Sequence, residues 1–381
     1  MTRNLISLSF LLFMAVGCVD RLVYDIPSPE RFGLSISGHI TDNSGPHRVN
    51  VFRNFDIESR DSLKTGVTAE SVVISDADGN SATLTQIMSG VYETNAGDIT
   101  GKAGGVYKVT VTLDDGRIYE SLADTLPVGG VIDTAFYKFT GRATPDNYIY
   151  EYEIYNNSHT TADPSKTFYM WTSKMTYKAT TKPEAEINPP CYPRPDKPTV
   201  CNLVAVCSGL KNIGNNFEPI LVYDGPCTCC TCWYEQFSPY ILLSDNYPTV
   251  NGRYREILTD RIKQTGWNMM YKMRIEVTMQ SMSLQAYHFW KGVRDQRSAT
   301  TNIFQPITGK IKGNIIQTKG DNVASEGIFY ATSSSQKAFY ILRGDTPVTL
   351  IPTTDYKGAG WYPCQRLAPN YKTVQPDYWI D

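Results

Sequence analysis

The densest chemistry in the chain is the run Cys227-Thr228-Cys229-Cys230-Thr231-Cys232, four thiols within six residues. Four more cysteines stand at Cys191, Cys201, Cys207 and Cys364, and the ninth is Cys18. Two chemistries suit such a set. Thiolates are soft ligands for zinc or Cu(I), whereas thiols in an oxidising compartment close into disulfides. The C-x-C-C-x-C spacing departs from the C-x2-C pair of zinc ribbons, and no histidine stands near it. The eight cysteines after Cys18 therefore read first as disulfides of open connectivity. Adjacent Cys229 and Cys230 would form too tight a ring with each other. They are expected to pair outward, to Cys191, Cys201, Cys207 or Cys364. A thiolate metal site is the sharper but disfavoured alternative.

Catalytic patterns are absent from the sequence. His39, His47, His159 and His288 form no H-E-x-x-H, and neither a G-x-S-x-G elbow nor a phosphate-cradling glycine loop occurs. His39 and His47 bracket a strand-turn-strand that could bring them together, though turn or edge roles suit them better. His288 is expected to pack beside a helix stripe. Asp76, Asp78 and Asn80 echo the start of a calcium loop, but Gly79 falls at position 4 and no Glu follows at position 12, so a hairpin is expected. Asp114-Asp115 sits in a turn, where a carboxyl lacks the burial that shifts a pKa. No catalytic residue, metal ligand or cofactor site is predicted, and the chain is not expected to be an enzyme. With Lys+Arg 36 against Asp+Glu 38 and a net charge of −2, there is no basic footprint for nucleic acid.

The N-terminal residues carry a different kind of signal. Arg3 precedes an uncharged apolar run from Leu5 to Val16, which ends in Ala15-Val16-Gly17-Cys18. The run is shorter than the roughly 20 residues a membrane span needs, and it fits the apolar core of a secretory signal. Small residues before a cysteine suit cleavage and thioether lipidation at Cys18. The expectation is a signal peptide over 1–17, a lipid-anchored tether over 18–33, and attachment to membrane lipid through Cys18. More than one acyl chain holds such an anchor stably.

The elements that must position any site read as β throughout. Leu34, Ile36 and Gly38 alternate with polar neighbours, a turn occupies Thr41 to Pro46, and Val49-Asn50-Val51 follows. Ala69 to Ile74 runs into an Asp-Gly hairpin turn. Tyr107, Val109, Val111 and Leu113 alternate with Lys108, Thr110 and Thr112 before Asp114-Asp115-Gly116 turns the chain again. Short strands with regular turn signals predict an all-β fold that begins with an Ig-like β-sandwich over 34–130. A larger β-rich domain is expected over 131–381. It would hold strands near 148–155, 168–177 and 269–279, a Cys-rich insertion over 180–232, and one packed helix. Ser283 is the helix's N-cap, with Ala286, Phe289, Trp290 and Val293 as its apolar stripe. Aromatics make up 12% of the chain, with 25 Tyr against 14 Phe. Tyrosine suits half-buried strands foremost, and also wet contacts with sugars or peptides.

Fragments spread over the chain carry a family resemblance. They are Gly38-His39-Ile40-Thr41-Asp42, Ala69-Glu70-Ser71-Val72-Val73-Ile74, Gly90-Val91-Tyr92, Gly105-Val106-Tyr107 and Asp115-Gly116-Arg117-Ile118-Tyr119, then Tyr287-His288-Phe289-Trp290, Asn302-Ile303-Phe304-Gln305-Pro306, Gly313-Asn314-Ile315 and Gly327-Ile328-Phe329. In this order, after the cysteine motif, they resemble outer-membrane lipoproteins of Bacteroidota classed as a domain of unknown function and usually encoded beside a SusC-like TonB-dependent receptor. The family's paired-cysteine element near the C-terminus is represented here by Cys364 alone. The resemblance implies an outer-membrane location, with the face open, and a TonB-dependent barrel as partner. It supports a non-enzymatic accessory or binding subunit of a nutrient importer, with no ligand named. A structural or envelope-assembly lipoprotein is the alternative, and a surface hydrolase a more distant one. Asp61-Ser62-Leu63, Asp124-Thr125-Leu126 and Asp133-Thr134-Ala135 also resemble the short O-glycosylation signal of that phylum.

Overall fold

The alternation over Val106–Leu113 becomes a strand that buries Tyr107, Val109, Val111 and Leu113 on one face. It pairs antiparallel with Ala69–Asp76, which contributes Val72 and Ile74 to the same face. The structure is a computed structural model and describes residues 33–53, 65–144, 148–161, 163, 167–181, 210–214, 220–223, 225, 230–247, 249–299, 311–321, 325–348, 364 and 371–380. These two strands belong to a six-stranded sheet. It faces a seven-stranded one in which Leu34–Thr41 and Arg48–Arg53 are paired antiparallel. Ile36, Ile40, Val49, Val51, Tyr119 and Leu126 fill the space between the two sheets. The fold is all-β, and this first unit is a sandwich.

Its strands are not contiguous in the chain. Ile315–Lys319 adds to the edge of one sheet beside Ile118–Ser121. Phe329–Thr332 runs parallel to Leu34–Thr41 in the other, and buried Phe329 and Ala331 join the core. The unit expected over 34–130 thus takes in strands from beyond residue 314. Two glycines make the insertion possible. Gly327 has φ +101°, and a Cβ on it would lie 2.0 Å from the Ile36 carbonyl oxygen. A Cβ on Gly313 would lie 1.8 Å from the Gly327 oxygen. Only glycine permits this approach of three backbones. Between them, Asn314 acts as a bracket: its Nδ2 donates to Phe329 O at 2.7 Å while its Oδ1 accepts from Phe329 N at 3.0 Å.

The strand does not stop at Thr332. After Ser333 the chain continues as Ser334–Leu342, paired antiparallel with Lys272–Met282 in a six-stranded sheet of the second region. One chain segment therefore supplies strands to both regions. Lys272–Met282 alternates as far as Ser281, with Met273, Ile275, Val277 and Met279 buried. Its sheet covers a three-stranded one formed by Gly130–Ala143, Tyr148–Thr160 and Arg253–Lys263. Tyr152, Ile154, Trp171 and Ile257 pack between them.

The helix spans Leu284–Ala299. Ser283 caps it as expected, its Oγ accepting from Ala286 N at 3.2 Å. Ala286 and Tyr287 are buried against Met170, Met282, Ile328 and Tyr330, with Phe289 and Trp290 partly buried beside them. Ile328 and Tyr330 flank Phe329 on the crossing segment, so the helix covers the junction. His288 differs from the expectation: it is exposed, because Tyr287 rather than His288 completes the inward stripe. The last residues of the 180–232 stretch already belong to the strand Thr231–Phe237, which pairs with Phe168–Thr180.

Candidate functional site

Arg253–Lys263 is the edge strand of the three-stranded sheet, and beside it the two sheets of the second region part. The gap is a cleft of about 350 Å³ lined by Met175, Tyr177, Tyr234 and Gln236 on one side and Asp260, Arg261, Ile262 and Lys263 on the other, completed by Pro239, Tyr240, Thr265 and Asn268. Antiparallel pairing sets Tyr177 opposite Tyr234, with ring centroids 5.1 Å apart. A third ring comes from the C-terminal strand Tyr371–Lys372. Its Tyr371 lies 4.8 Å from Tyr234, and its hydroxyl is 2.7 Å from that of Tyr177. Burial, then the neighbouring Tyr371, pushes the Tyr177 phenol well above its usual range.

Asp260 is the buried acid of the cleft, only 7% exposed. Its Oδ2 accepts from Ser173 Oγ at 2.7 Å and its Oδ1 from Arg261 N at 2.8 Å, and the Ser238 hydroxyl adds a further bond. Burial raises its pKa, and these donors pull it part of the way back. Ser238 also donates its amide to Ser173 O at 2.8 Å and accepts from Tyr240 N at 3.3 Å. One carboxyl thus ties the Ser238–Tyr240 turn to strands from both sheets. At the far end, Asn268 and Thr265 exchange backbone-to-side-chain bonds of 2.9 and 3.1 Å. Asn268 Nδ2 also holds Lys263 O at 2.9 Å. The Arg261 head turns outward to Glu153 at 3.1 Å. Tyr240, 49% exposed, stands at the mouth. The cleft sets aromatic side chains beside fixed polar groups, the combination of apolar lining and few placed polar groups that ligand pockets have.

The residues singled out in the sequence fall elsewhere. Cys18, Cys191, Cys201, Cys207, Cys227 and Cys229 lie outside the described residues, as does Asp61-Ser62-Leu63. Cys232 and Cys364 form a disulfide across a sequence separation of 132, both fully buried, and Cys230 is disulfide-bonded as well. Neither Cys230 nor Cys232 is therefore a thiolate open to a metal. Among the described residues no group of three or more His, Cys, Asp or Glu side chains could hold an ion. No helix among them is long and apolar enough to cross a membrane.

The histidines take structural positions. His47 is 3% exposed, its Nε2 3.0 Å from Ile99 O. His39 stacks on Tyr330 with centroids 5.4 Å apart, close enough to His47 to feel its charge. His159 Nδ1 lies 2.8 Å from Asp133 Oδ1 on the outer face. Asp76 Oδ1 accepts from Asp78 N and Asn80 N, closing the hairpin turn. Asp115 pairs with Arg117 at 2.7 Å. Asp124 is buried and accepts from Ala331 N at 3.0 Å, while exposed Thr134 accepts from Asn157 Nδ2 at 3.0 Å. Nothing local in the sequence marks the cleft residues. Asp260, Ser173 and Ser238 come from three distant segments, and the tyrosine excess was the one signal pointing toward them.

Compared with known families, the chain matches over residues 19–338 the one described as Domain of unknown function (DUF4249). No curated protein matches it.

Proposed function

The chain belongs to the DUF4249 family, and we propose that it is a lipid-anchored, non-enzymatic binding subunit of a TonB-dependent nutrient importer in the outer membrane. The observation that carries this reading is the cleft beside Arg253–Lys263, where aromatic rings share the lining with a carboxyl held by hydroxyls and an amide. Its bonds to Ser173, Ser238 and Arg261 N orient the walls. General acid–base work instead needs a titratable partner with a matched pKa. The segment through Ser333 couples the cleft-bearing region to the sandwich that follows the tether. A lipid on Cys18 would then hold the cleft at a set distance from the membrane, where it can receive or hand over cargo. The resemblance to lipoproteins encoded beside SusC-like receptors supplies the partner.

The test is genetic and biochemical. Metabolic labelling with an alkyne fatty acid should mark the wild-type chain, and Cys18→Ala should abolish the label and release the protein from membranes. Deletion should slow growth on one class of nutrient while leaving others unaffected. Equal growth on every nutrient, with envelope leakage instead, would favour the envelope-assembly reading.

A further inference from the structure

The cleft's lining narrows the chemistry of what it holds. We infer that the cleft between Tyr240, Gln236 and Asp260 is a saccharide site that takes the end of an uncharged oligosaccharide; this rests on reading the chain as a binding subunit. A sugar ring presents apolar C–H faces and a rim of hydroxyls, so its site needs aromatic planes beside groups that both donate and accept. Tyr240 supplies an exposed plane, Tyr234 lines the cleft beside it, and Ile262 extends the apolar surface. Asp260 offers about four acceptor positions. Ser173, Ser238 and Arg261 N occupy three of them, which leaves one for a ligand hydroxyl. The exposed Gln236 side chain ends in an amide, a donor and acceptor together, and belongs to the same lining. A volume of about 350 Å³ sits at the small end for ligand pockets and suits a chain end rather than a long segment.

Other ligand classes fit less well. An extended peptide would add to the edge strand through free backbone amides. The Arg261 amide is already taken by Asp260, and Arg253, Arg255, Arg261 and Lys263 stud that edge, a common guard against strand pairing. An anionic ligand would meet the Asp260 carboxyl at the base of the cleft, while the Arg261 cation is turned away to Glu153.

Titration calorimetry of the purified chain with cellobiose, maltose, lactose and N,N′-diacetylchitobiose tests the assignment. At least one should bind saturably, and Tyr240→Ala and Gln236→Ala should each weaken it about tenfold or more with unfolding midpoints unchanged. No saturable heat with any of the four, or saturable binding that both substitutions leave intact, overturns the saccharide site. Saturable binding of an acidic hexapeptide in their place overturns it too. Because no barrel is present in this assay, a failure here is separable from failure of the importer reading, which is judged by co-purification.

Discussion

Ser333 Oγ donates a 2.7 Å hydrogen bond to Asp42 Oδ2, joining residues 291 positions apart at the point where the chain passes from one sandwich to the other. Asp42 Oδ1 accepts from Ser334 N at 2.9 Å. On the opposite side, Ser333 N donates to Ser281 Oγ at 3.0 Å and Ser281 N to Ser333 O at 3.0 Å. Ser333 is therefore clamped between the turn after Leu34–Thr41 and the end of Lys272–Met282. The two regions share a backbone and a hydrogen-bonded joint.

Asp42→Ala removes both acceptors and leaves the Ser334 amide and the Ser333 hydroxyl short of partners. Because Asp42 is exposed and water can replace it at the Ser334 amide, the expected cost is about 1 kcal/mol. Because the joint couples two cores, calorimetry should show one unfolding transition for the wild type and a split or broadened one for the variant. A single transition at an unchanged midpoint would show that the joint carries no coupling.

The stack of His39 on Tyr330 should make stability pH-dependent. Loss of solvent around the imidazole, then nearby His47, lowers the His39 pKa to about 4. In the unfolded chain it is about 6.5. The folded pKa is the lower one, so this stability is present in full above about pH 6.5 and is lost as pH falls toward 4. Allowing for the ring's partial exposure, the loss is on the order of 2 kcal/mol. Urea midpoints measured between pH 7 and 4.5 should fall for the wild type. They should fall less for His39→Phe, which keeps a ring over Tyr330 and removes the titration. Parallel curves would mean that His39 is not the group responsible.

The Cys232–Cys364 bridge fixes the chain just before the C-terminal strand Tyr371–Lys372, whose Tyr371 props Tyr177 and Tyr234 beside the cleft. Cys364→Ser should cost about 2–5 kcal/mol and expose the residues around 371–380 to limited proteolysis. A variant with the wild-type cleavage pattern and midpoint would mean that the pairing to Trp233 and Tyr234 holds this segment without the disulfide.

Strand chemistry was legible in the sequence because alternation and Asp-Gly turns are local. Tyr107 to Leu113 and the Asp76–Asn80 hairpin could be read directly, as could Ser283 at the helix start. The i, i+3, i+4, i+7 spacing sets His288 beside the stripe, but the covered face is wide enough to take Tyr287 beside Ala286, and His288 is left exposed. Gly313-Asn314 and Gly327 stand in two of the family-like fragments, yet the reason for Gly327 is a contact with Ile36 nearly three hundred residues away, and Gly313 is needed against Gly327 itself. The insertion of Phe329–Thr332 into the first sandwich was equally hidden, since a parallel partner leaves no local trace. The cleft was the least legible part: Ser173, Ser238 and Asp260 are unremarkable in sequence and acquire meaning only where two strands and the Ser238 turn meet.

Association with an importer is tested most directly by purifying the tagged full-length protein from outer membranes in a gentle detergent and identifying by mass spectrometry what remains bound. A TonB-dependent barrel recovered in near-stoichiometric amount, and lost with Cys18→Ala, is the predicted result. The protein recovered alone, or with envelope-assembly factors in place of a barrel, would contradict the account.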